Sequence, residues 1–115
     1  MAQFINRQIV CLDSTKNSLY CEVIEVINER KICWVRPILL VDLQAQNHNY
    51  FSQKDTIHDL RFTSDLLWNI NDFRIVFDTE YIEFLSELQE FQFDENKLII
   101  AKQKLRLFME EILNN

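Results

Sequence analysis

Not one of the 115 residues is glycine, and only one is proline. Every turn in this chain must therefore be made by residues with a β-carbon, for which positive φ carries a steric cost. The P-loop, the dinucleotide fingerprint and the nucleophile elbow all require glycine, so the enzyme classes built on them are excluded. Turns fall instead to Asn, Asp and Ser, at 13–18, at Asn28 and at 69–72. Strand registers next to those turns are where a non-glycine residue at positive φ would alter the pairing.

Between these turns the first part of the chain reads as strands. Residues 8–12 form a short apolar run, and 19–27 and 32–41 are rich in β-branched and aromatic residues. If Glu29 and Arg30 form a two-residue hairpin loop, Val26 faces Cys33, Ile24 faces Val35 and Tyr20 faces Leu39, giving one wholly apolar face. The other face then carries Val23, Glu25, Trp34, Arg36 and Ile38, and Pro37 calls for an edge or a bulge. Residues 43–58 are polar and aperiodic, which predicts a long loop. A fourth strand or irregular segment follows over 59–68, a turn at 69–72, and a last strand over 73–77.

The final third is helical. Tyr81, Phe84, Leu85, Leu88 and Phe91 recur at spacings of three and four, with Asp78 or Thr79 as the expected cap. A second helix over 97–113 places Leu98, Ala101, Leu105, Phe108, Met109 and Ile112 on its buried stripe. The whole predicts one α+β domain over 1–115. A small bent antiparallel sheet or SH3-like partial barrel from about 7–77 is followed by two packed helices in a hairpin over 78–115. Each helix has an apolar face that must be covered.

The formal charge is -6, from 12 Lys and Arg against 18 Asp and Glu. Residues 78–96 carry seven acids and no base, whereas 97–115 carry four bases and two acids. Glu80, Glu83, Glu87 and Glu90 share one helix face, which is either a solvated surface or a docking strip for a basic partner. Ile99, Ile100 and Leu107 lie off the second helix's buried stripe, with Ile100 and Leu107 almost opposite it. Either the strands cover both sides of that helix, or the stripe meets another chain, for which an isologous homodimer is the usual solution.

No pattern calls for a cofactor, a metal or a catalytic residue. Cys11, Cys21 and Cys33 are odd in number, lack a C-x-x-C pair and sit in apolar runs, where they read as core residues. His48 and His58 lie in the polar 43–58 segment, the place where an enzyme site would have to be. Asp65 reads as a turn or cap residue. Nucleic-acid binding would use Arg7, Tyr20, Trp34 and Arg36, but a neutral strand region in an acidic chain argues against it. The opening residues lack the features of a signal peptide and no run has the length of a membrane span, which predicts a cytoplasmic protein.

The run from Arg30 to Leu40 (RKICWVRPILL), then His58-Asp59-Leu60-Arg61, Ser64-Asp65-Leu66-Leu67-Trp68, Phe73-Arg74 and Phe77-Asp78-Thr79-Glu80 follow one another in a characteristic order. Over about 20–85 the chain resembles a group of small uncharacterised cyanobacterial proteins, with Asn69 where those proteins have Pro. That resemblance implies a bacterial, cytoplasmic setting and carries no activity or site. The functional expectation is thus a non-catalytic protein–protein interaction or adaptor domain with an unknown protein partner, self-associating through its last helix. Nucleic-acid binding by the β part is the alternative. The residues expected to carry the interaction are Glu80, Glu83, Glu87, Glu90, Ile100, Leu107, Trp34 and Arg36.

Overall fold

A computed structural model describes residues 4–42 and 57–114. The architecture is α+β: a six-stranded antiparallel open sheet followed by two helices. The strands are β1 (Ile9–Asp13), β2 (Asn17–Ile27), β3 (Ile32–Asp42), β4 (Ile57–Asp59), β5 (Leu66–Asn69) and β6 (Phe73–Ile75), and the helices are α1 (Asp78–Gln89) and α2 (Glu95–Leu113). The order is β4-β3-β2-β1-β6, and β5 pairs with β3 beside β4. A 3-10 turn at Ile70–Asp72 joins β5, at one edge, to β6, at the other. A sheet whose two edges are linked by three residues must bend strongly.

Two bulges provide much of that bend. Val26 opposes Cys33 and Tyr20 opposes Leu39, as the hairpin pattern predicts, but Val23, not Ile24, opposes Val35. Ile24 is the extra residue of one bulge and Ile38, next to Pro37, that of a second on the partner strand. The two offsets cancel, so the register at both ends is the same. A bulge also re-aims side chains. Val26 is brought to the same face as Val23, and that face, expected to be mixed at Val23, is core, with Val23 fully buried. Pro37 sits where β3 changes outer partner from β5 (opposite 32–35) to β4 (opposite 39–41), so its missing N–H removes no ladder bond on that side.

Strand alternation divides the core in two. Val10, Leu12, Leu19, Leu40 and Phe73 point to the face covered by Ala101, Leu105 and Phe108 of α2. Cys11, Tyr20, Leu39 and Val41 point to the opposite face, covered by Phe84 and Leu88 of α1. Both helices pack on the sheet, but on opposite sides of it, so their buried faces do not meet as in a simple hairpin. Asp94 caps α2 by accepting from the N–H groups of Asn96 and Lys97, which starts that helix two residues before the predicted 97. At α1 the cap position is Phe77 and no side chain caps it, contrary to the expectation for Asp78 or Thr79. Of the segment expected as a loop over 43–58, residues 57–58 begin β4 and 43–56 lie outside the described residues.

Positive φ among the described residues falls on Arg7 (72°) and Lys31 (56°). Lys31 closes the β2–β3 connection behind a 3-10 turn at Asn28–Arg30, in place of the expected two-residue loop, and its N–H donates to the Asn28 carbonyl. A side chain in that conformation costs about 1 kcal/mol relative to glycine. Lys31→Gly is therefore expected to raise the urea midpoint by the equivalent of about 0.5–1 kcal/mol without changing the slope. A lower midpoint would show that this backbone is not strained.

Candidate interaction surface

The four glutamates of α1 do not share one environment. Glu83 and Glu90 are exposed, whereas Glu80 and Glu87 are half-buried beside the face that meets the sheet. Glu80 is held there by its neighbours. Its carboxylate accepts from the Tyr20 hydroxyl at 2.6 Å and from both terminal nitrogens of Arg74 at 2.8 and 2.7 Å. Arg74 also donates from Nε to Asp13, which in turn accepts from the Ser18 hydroxyl at 2.7 Å and the Cys11 thiol at 3.3 Å. One guanidinium on β6 thereby ties the β1–β2 turn to the first turn of α1, with bidentate geometry towards Glu80. The ring of Tyr20 lies 5.3 Å from that of Phe84, within the range of favourable tilted aromatic contacts.

Trp34 and Arg36 meet on one acid. The Trp34 indole N–H donates to Asp65 at 3.0 Å and Arg36 donates through Nε at 3.1 Å and Nη2 at 3.3 Å. Asp65 is thus an acceptor shared by two strand residues, not the turn or cap residue expected. Its hydrogen bond from Arg36 holds its carboxyl below the usual carboxylate range, outweighing desolvation and aided by Trp34. The guanidinium that nucleic-acid binding would need is already matched by a carboxylate.

Ile100 and Leu107 are 48% and 55% exposed, and Ile99 is 52% exposed. The strands therefore do not cover the far side of α2. Ile100 also lines a groove of about 530 Å³ bounded by β4, Phe62, the α1–α2 connection and the first turns of α2. Phe62 and Phe93, both more than half exposed, stand edge to face with centroids 5.1 Å apart. Of the residues expected to carry an interaction, the groove brings together Glu90 and Ile100. Leu107 lies two turns further along α2, and Trp34 and Arg36 form their own cluster with Asp65. Phe62 and Phe93 were missed by periodicity because neither belongs to a regular element; the signal is a pair of phenylalanines placed in polar connections.

His58 lines the same groove beside Asp59, Glu90 and Asp94, while His48 lies outside the described residues. Asp59 is engaged in a bidentate pair with Arg61 at 2.9 and 2.8 Å, and Asp94 caps α2. The described lining residues are apolar, acidic, basic or amide side chains and His58. All three cysteines are buried, and burial pushes Cys33 up to about 11 and Cys11 and Cys21 higher still, which makes them inert thiols. Among the described residues no group of three His, Cys, Asp or Glu is placed to hold a metal, and no helix is long and apolar enough to cross a membrane.

The Arg74 network makes a prediction about acid stability. Arg74 holds the Glu80 carboxyl below its usual range, against desolvation and with help from Tyr20. At Asp13 burial pushes upward, but the bonds from Arg74, Ser18 and Cys11 outweigh it, so that carboxyl also falls below its usual range. Both folded values lie below the unfolded ones, so the stabilisation is full at neutral pH and is lost as pH falls through the lowered values. Arg74→Met is expected to cost about 1–2 kcal/mol at neutral pH, the low end because the guanidinium is partly exposed. Urea titrations should show that difference shrinking below about pH 4. A constant difference would assign the loss to packing. No protein-family model, curated protein or solved structure matches the chain, so its surfaces have to be read from their own chemistry.

Proposed function

We propose that this chain is a non-catalytic protein–protein interaction or adaptor domain that self-associates through its last helix, in a bacterial cytoplasmic setting. The observation that supports this most is that α2 is apolar on two sides. Ala101, Leu105 and Phe108 are buried on the sheet, yet Ile99, Ile100 and Leu107 remain about half exposed. A surface helix of a small monomer is polar on its outer side. Large apolar residues left exposed on the same helix two turns apart mark a contact surface.

A second copy fits this surface because the chain carries both halves of a charge pair. Residues 78–96 hold seven acids and no base, and α2 presents Lys97, Lys102, Lys104 and Arg106 around its exposed stripe. In a two-fold arrangement the bases of α2 in one copy face Glu90 at the α1–α2 connection of the other, since Glu90 and Ile100 line the same groove, and the reverse holds for the second pair. Arg36, engaged by Asp65, weighs against the alternative of nucleic-acid binding.

Light scattering coupled to size exclusion measures the mass directly. The wild-type chain is expected to run as a dimer, and Ile100→Lys with Leu107→Lys as a monomer with unchanged circular dichroism. A monomeric wild type at concentrations well above micromolar would end this reading.

A further inference from the structure

The geometry points to a second docking site: the groove between β4 and the α1–α2 connection takes a short segment of another protein that carries an apolar anchor side chain next to Lys or Arg. This rests on reading the chain as an interaction domain, but it concerns a different occupant from a second copy.

Shape supplies the first part of the inference. About 530 Å³ is far too small for a folded surface and is within the range of concave ligand sites, enough for one or two side chains. The inner lining is apolar: Ile57 and Leu98 at the bottom are buried or half-buried, and Phe62, Phe93 and Ile100 stand exposed around them. Two aromatic rings in edge-to-face contact form a rigid wall that loses little rotamer freedom when an aliphatic or aromatic side chain inserts beside it.

Charge supplies the second part. Among the described residues the lining includes the carboxylates of Asp59, Glu90 and Asp94 with Lys97, and Arg61 pairs with Asp59; the α1–α2 connection belongs to the stretch 78–96, which has seven acids and no base. An acidic segment would be repelled along the whole approach, whereas a basic one is steered in. Once docked, a guanidinium or ammonium near Phe62 or Phe93 gains from the ring faces as well as from the carboxylates. The groove therefore selects for an apolar residue and a cation together.

The test uses the intact chain as bait for a displayed library of random short peptides. Enriched sequences are expected to pair Leu, Ile, Phe or Trp with Lys or Arg. A synthetic peptide of the enriched sequence should bind with an affinity that falls as salt is raised. Phe93→Ala and Phe62→Ala, both at exposed positions that leave the fold intact, should each weaken that peptide by about tenfold or more. Ile100 borders both surfaces, so Leu107→Lys is the variant that separates them: it should leave peptide affinity unchanged while abolishing the dimer. No enrichment, enriched sequences without basic residues, or a peptide insensitive to both phenylalanine variants would each overturn the inference. A monomeric wild type that still binds the peptide would remove self-association alone and leave this site standing.

Discussion

Burial of the sheet on both faces is the constraint from which the rest of this structure follows. Val10, Cys11 and Leu12 are consecutive and all buried, as are Leu39, Leu40 and Val41. Because neighbouring residues on a strand point to opposite sides, neither face can be left to water. With two helices available, one must go to each side. α1 covers Cys11, Tyr20 and Leu39, and α2 covers Val10, Leu12 and Leu40. Burying a large apolar side chain such as Phe108 contributes about 1.5–3 kcal/mol, so exchanging this arrangement for a helix pair on one face would expose several such residues at once.

Placing α1 on the outer face also calls for something to fix its start, since no side chain caps it. Arg74 meets that need from β6. The strand ends three residues before the helix begins, and its guanidinium reaches both Asp13 and Glu80. Asp13 sits at the end of β1, whose turn is built without glycine from Ser14 bonds to the Asn17 region. A single cation thus coordinates a strand end and a helix start.

Much of this was legible in the sequence. The first three strands, the α+β class, the helical stripes of Phe84 and Leu88 and of Ala101, Leu105 and Phe108, and the outer register of the β2–β3 hairpin are all local patterns of period two or 3.6. What could not be read is what depends on distant partners. The role of Glu80 depends on Tyr20, sixty residues away, so on the helix alone it looked like one more member of an acidic face. Asp65 looked like a turn residue because Trp34 and Arg36 are about thirty positions earlier. The bulge at Ile24 left no mark in the composition, since a β-branched residue suits a regular strand equally well, and it put Val26 on the same face as Val23. β4 is three residues long, too short for alternation to register, and it exists because β3 extends beyond the reach of β5.

The groove is a consequence of the same two-sided burial. A chain that leaves α1 on one face and enters α2 on the other has to pass round an edge of the sheet. The five residues between the helices, 90–94, do so beside β4, the edge strand, where the Arg61 guanidinium donates to the Leu88 carbonyl at 3.3 Å. Within this connection Phe91 still packs against the core on the α1 side, but Phe93, further round the edge, stands outside both core clusters and meets Phe62 from the turn after β4. The acidic stretch ends at the same place, because Asp94 must cap α2 and Glu95 favours its positive end. Exposed rings and carboxylates therefore coincide for topological reasons, and it is this coincidence that gives the groove its preference for a partner both apolar and basic.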